Sequence, residues 1–141
     1  MKKLIAAIFV ALLTTAGLVA TTTSTANAAC PYTQCVATDA KIAVPLTVKA
    51  GKAATIKVTV KAKSGNASPV GRVTVTVKKV GGGFTQKISK SVGGGKTYAF
   101  VTKRLTKAGK YTATAVYVPK SGSVFKGDTT TKSFRVVRRS A

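Results

Sequence analysis

Asp39 and Asp128 are the only acidic side chains in this 141-residue chain, which carries 24 Lys and Arg and no His. General acid–base catalysis is done mainly by His, Glu and Asp tuned toward neutral pH. Two aspartates so far apart in the chain form a catalytic pair only if folding joins them. Asp128 is read instead as pairing with Lys126 or shaping the loop before the last strand. Ser and Thr are plentiful, but a Ser–Lys nucleophile needs a buried lysine of depressed pKa, and no pattern marks one. Neither enzymatic activity nor a cofactor is expected.

Cys30 and Cys35 are the only cysteines. In an exported protein an even pair reads as a disulfide, here closing a small loop through Pro31 and Tyr32. Closing so short a loop stabilises little. Two thiols without His cannot complete a tetrahedral zinc site. A lipid-modified Cys30 is the other reading, but Asn27-Ala28-Ala29 lacks the branched apolar residue that lipoprotein signals place three positions upstream.

Export itself is read from Met1 to Ala28. Lys2 and Lys3 supply a charged start, Leu4 to Leu13 an apolar run, and Ala26-Asn27-Ala28 a small-x-small cleavage site, which together predict a signal peptide. The rival reading, a membrane-spanning helix, needs ~20 apolar residues, and the strongly apolar run stops at Thr14-Thr15. No later segment is apolar enough for an integral membrane span. The expected division is a signal peptide over 1–28, a tail over 29–40, one domain over 41–137 and a basic tail over 138–141. The expected location is extracellular or associated with the cell wall.

The formal net charge is +22, and losing Lys2 and Lys3 with the signal peptide leaves +20 for Ala29 to Ala141. A small domain ordinarily stays within about eight units of zero, because self-repulsion and nonspecific binding grow with charge. Outward Lys alternating with Thr is also an ordinary solvated strand face that discourages edge aggregation, but that does not explain the missing acid. Anionic partners are expected, above all anionic polymers of the cell envelope. The candidate contacts are Arg72, Lys78, Lys110, Lys120, Lys126, Arg135, Arg138 and Arg139, the arginines being the better bidentate partners. Nonspecific nucleic-acid binding at low salt follows from charge alone, whereas sequence-specific reading needs a recognition element and stacking aromatics. Two other readings remain open. One is a protein-binding module, an adhesin or inhibitor, using the loops Ser64 to Val70 and Pro119 to Asp128. The other is a cationic antibacterial protein, although no amphipathic membrane-active helix is present.

The elements that must carry these cations are strands. Ile42, Val44, Leu46 and Val48 alternate with Lys41, Ala43, Thr47 and Lys49. Ile56, Val58 and Val60 alternate with Thr55, Lys57, Thr59 and Lys61, and Val73, Val75 and Val77 with Arg72, Thr74, Thr76 and Lys78. Strict period-two patterning with β-branched residues predicts half-buried strands. Turn signals such as Gly81-Gly82-Gly83 and Gly93-Gly94-Gly95 divide the region into seven runs, at roughly 41–49, 53–62, 70–80, 84–92, 96–105, 109–118 and 129–137. The fold class is thus all-β, a seven-stranded antiparallel immunoglobulin-like sandwich. Pro45 places the first run at an edge. Runs one, two, four and five are expected in one sheet and three, six and seven in the other, with Lys57, Lys61 and Lys87 facing out from the first and Arg72, Lys78 and Arg135 from the second. Leu105, Gly109 and Tyr111 have the spacing of a tyrosine corner, in which the Tyr hydroxyl bonds back to upstream backbone.

From Lys41 to Val137 the chain resembles the bacterial immunoglobulin-like domains of exported envelope proteins. The residues that carry the resemblance are Gly71-Arg72-Val73-Thr74-Val75-Thr76-Val77, Leu105 to Tyr117, and Ser133-Phe134-Arg135-Val136. The resemblance implies a spacer, stalk or adhesive module. Some relatives bind calcium through acidic loops after the sixth strand, where this chain has Pro119-Lys120-Ser121-Gly122.

Overall fold

A strand that alternates Val with Thr or Lys has one apolar face, and it is stable only when that face meets another. The computed structural model describes residues 35–140, in which eight strands and no helix form two sheets. The strands are β1 (Thr38–Ala43), β2 (Thr47–Lys49), β3 (Thr55–Ala62), β4 (Gly71–Lys79), β5 (Thr85–Val92), β6 (Thr97–Val101), β7 (Gly109–Pro119) and β8 (Asp128–Val137). The smaller sheet has the order β1-β3-β6 and the larger β2-β8-β7-β4-β5. Between them Ile56, Val58, Val73, Val75, Val77, Phe100 and Tyr111 lose essentially all contact with solvent. The result is an immunoglobulin-like β-sandwich. The signal-peptide reading of Met1 to Ala28, and Cys30 of the expected disulfide, lie outside the described residues.

The first run is two strands, not one. Proline lacks an N–H and interrupts a ladder. At Pro45 the chain leaves the smaller sheet, where β1 pairs antiparallel with β3, and joins the larger, where β2 runs parallel to β8. Leu46, read as inward-facing, sits at this crossover and is 89% exposed. Its carbonyl accepts the Arg135 N–H at 3.1 Å. β1 also begins at Thr38, inside the stretch read as a tail. Its outer side is tied to the segment before β8. Val36 N–H donates to Val124 O at 2.8 Å, Lys126 N–H to Val36 O at 2.9 Å, and Thr38 Oγ1 to Lys126 O at 2.8 Å.

The fourth run also differs from its expected place. β5 pairs with β4 in the larger sheet, so Lys87 faces out from that sheet and not from the smaller one. Strands joined by a short connection tend to pair with each other, and here Gly81, Gly82 and Gly83 turn the chain at φ of 83°, 88° and 88°. Three successive residues in this left-handed region are feasible only for glycine. The side of β5 that faces inward then covers the open edge of β6. Lys90 Nζ donates to Ala99 O at 2.6 Å and lies 5.5 Å from the Phe100 ring centroid, while Gln86 Oε1 accepts the Lys103 N–H at 2.8 Å. An inward lysine beside a bare strand edge is a known guard against edge pairing.

At the start of β4 the backbone passes unusually close to β7. A methyl group on Gly71 would meet Val118 O and lie 2.8 Å from Pro119 Cα and 2.9 Å from the Tyr117 ring. Two of those neighbours are backbone and cannot swing away. Gly71→Ala is expected to destabilise the domain by about 1–3 kcal/mol, as overpacking does, measurable as a lower urea midpoint.

Candidate polyanion-binding surface

Outward positions of a strand belong to the residues alternating with the buried ones, and that rule places the cations. On the larger sheet Arg72 and Lys78 of β4, Lys87 of β5, Lys110 of β7 and Arg135 of β8 are all exposed. Lys110 and Arg135 are register partners, and Lys78 stands between Thr112 and Thr85. On the smaller sheet Lys41, Lys57 and Lys61 are exposed. Arg138 and Arg139 are exposed just past β8, and Lys120 and Lys126 lie exposed in the loop between β7 and β8. The strand directions put Arg72 and Lys120 at one end of the sandwich and Lys78, Lys110, Arg135, Arg138 and Arg139 at the other. The eight candidate residues therefore form no single cluster. They ring the larger sheet's outer face and its two ends.

The middle of that face is a lawn of hydroxyls that a reading by charge alone misses. Ser133 and Thr112 pair across β7 and β8, as do Thr131 and Thr114; Thr76 extends the second row on β4, and Thr74 stands opposite Val116. Thr114 and Thr131 share a hydrogen bond at 3.0 Å, and Thr74 and Ser89 one at 2.8 Å. The signal is present in the sequence as the Thr positions alternating with core Val and Ala. From Arg72 to Lys78 this face spans about 20 Å at the usual rise per strand residue.

Both carboxylates are engaged internally. Asp128 Oδ2 accepts the Ala40 N–H at 2.7 Å and Oδ1 accepts the Thr129 N–H at 2.9 Å, so this side chain joins β1 to the start of β8. Asp39 Oδ2 lies 3.5 Å from Lys41 Nζ in an exposed ion pair. That pair adds little stability in water, but it leaves no carboxylate free to offset the remaining cations. Asp128→Ala removes the acceptor for a partly buried N–H, which costs roughly 1–3 kcal/mol. Amide hydrogen exchange at Ala40 should accelerate in this variant, and Asp128→Asn should fall between it and the wild type.

Tyr111 and Tyr117 are structural. Tyr111 Oη donates to Lys107 O at 2.8 Å across the bend before β7. Its ring stacks on Phe134 at 5.6 Å and meets Phe84 edge-on at 5.8 Å. Leu105 is fully buried, lies outside the strands and bridges to Lys52, while Gly109 opens β7 opposite Val136. Tyr117 Oη donates to Val70 O at 3.1 Å. Burial pushes the Tyr117 hydroxyl up from the usual 10.0 to about 12, and raises Tyr111 as well. A raised tyrosine contributes stability that is intact below pH 10 and lost as pH climbs toward 12, because only the unfolded form ionises there. Over that range the stability of Tyr117→Phe should decline less steeply than that of the wild type in urea titrations at fixed pH.

No protein-family model matches the chain, and no curated protein does. Among solved structures, the chain is similar to the CARDB domain of a Pyrococcus furiosus protein, described as in complex with di-metal ions. Identity is 21%, the match covers 72% of this chain and 87% of that one, and the TM-score is 0.43. Among the described residues of this chain, no group of three or more His, Cys, Asp or Glu could hold a metal ion. No helix among them is long and apolar enough to cross a membrane.

Proposed function

We propose that this chain is an exported, non-catalytic immunoglobulin-like module that adheres to anionic polymers of the cell envelope, such as teichoic-type phosphates or acidic polysaccharides. The observation that carries the reading is the fate of the two carboxylates. Asp128 is consumed by backbone N–H groups and Asp39 by Lys41, so the other cations on both sheets and both ends meet solvent without a carboxylate partner. Such a surface has no single binding site, and it favours a long ligand of repeated charge that can touch several of its parts at once. Each Lys or Arg contact would release counterions condensed on the polymer, which makes the attachment strongly salt-dependent. The hydroxyls between the cations would supply neutral hydrogen bonds to polymer oxygens. In this reading Met1 to Ala28 is removed on export, and a Cys30–Cys35 bridge ties down the segment ahead of β1.

Binding of the purified chain to isolated cell envelopes should be nearly complete at about 50 mM salt and largely lost near 1 M, where charges are screened beyond ~3 Å. A triple variant, Arg72→Ala, Lys78→Ala and Arg135→Ala, should flatten the log–log salt slope by about two to three. Retention that survives concentrated salt would refute the proposal.

A further inference from the structure

At the end of the larger sheet, a groove of about 490 Å³ lies among Val70, Val92, Val118 and Pro119 with Arg72 and Lys120 at its rim. Its volume is that of a small-molecule site, and it is lined by hydrocarbon with a few polar groups. Val70 and Val118 are 50% and 44% exposed, so this apolar surface has no cover within the described chain. We propose that the groove holds the aliphatic chain of a free long-chain carboxylate, with the carboxylate held by Arg72 and Lys120.

Three observations select that occupant. The lining is aliphatic, with no aromatic ring on which a sugar could stack, so a carbohydrate is disfavoured. The backbone is already used: Gly71 and Arg72 are laddered to β5 on one side and β7 on the other, and Val70 O accepts both Lys120 N–H and Tyr117 Oη. A peptide would bring main-chain N–H and C=O groups beside the Val70 carbonyl and the backbone of Gly71 and Arg72, which are already paired, whereas an acyl chain brings none. The only charged groups are the two rim cations, which match a ligand with one anionic head. An arginine is suited to a carboxylate in bidentate geometry, and a lysine adds a mobile point charge.

This site differs in kind from polymer adhesion, since part of its affinity is burial of hydrocarbon and persists in salt. The test is calorimetric titration of the folded chain with dodecanoate below its micelle concentration. Saturable one-to-one binding is expected, with no binding of dodecyltrimethylammonium, the cationic counterpart. Arg72→Ala/Lys120→Ala should weaken the affinity about tenfold. Lys57→Ala/Lys61→Ala, which removes equal charge from the opposite sheet, should leave it unchanged. Val70→Ser/Val118→Ser, with folding verified by circular dichroism, should abolish binding while leaving salt-sensitive envelope binding intact. Equal weakening by the arginine/lysine and lysine/lysine double variants would overturn the proposal. So would equal binding of the cationic amphiphile, retention of affinity in the double serine variant, or binding to anionic lipid vesicles without binding to monomeric dodecanoate.

Discussion

The whole arrangement depends on a period of two. Each strand gives its odd or even residues to the space between the sheets, and in this chain those residues are almost entirely Val, Ile, Ala and aromatic. Val73, Val75 and Val77 from one sheet meet Ile56 and Val58 from the other. A slip of one residue in any of these strands would turn its lysines inward, at the cost of desolvating charges with no carboxylate to pair them. The excess of cations thus penalises wrong registers while repelling itself across the surface of the right one. The same alternation that builds the core is what sends Arg72, Lys78, Lys110 and Arg135 outward.

Much of this is legible in the order of the residues alone, and where that order misleads the causes are physical. The patterns around Val58, Val75 and Ala115 locate their strands because their burial is one-sided and strict. Pro45 signals an interruption, yet alternation alone carries the first run past it and puts Leu46 on the inner face. The partner of β5 is not legible, because its inward residues, Gln86, Ile88 and Lys90, do not look like core. They make sense only once Lys90 is seen reaching Ala99 O and Gln86 holding Lys103. Likewise Asp128 reads as a loop residue, and its bond to Ala40, 88 positions away, is a tertiary fact.

Surface features divide along the same line. That Arg72, Lys78 and Arg135 point to water follows directly from their neighbours in sequence. That Arg72 shares a rim with Lys120 does not, nor does the meeting of Val70, Val92 and Val118, since each comes from a different stretch of chain. Individually Val70 and Val118 are ordinary exposed residues and Val92 a buried one; together they line a concavity. Charge is a property of composition, whereas a site is a property of juxtaposition.

The parallel pairing of β2 with β8 carries a mechanical consequence. The chain enters β2 at one end of this pair and leaves β8 at the opposite end, with Thr47, Val48 and Lys49 beside Arg135, Val136 and Val137. Tension applied to the two ends would therefore pull these strands past each other lengthwise. The ladder bonds, and the flanking bonds from Arg135 to Leu46 and Ala50 to Val137, would bear that load together. A zipper opens one bond at a time, but a sheared pair must break its bonds at once. A molecule held at one end and dragged at the other would be stiffest along the line of pull.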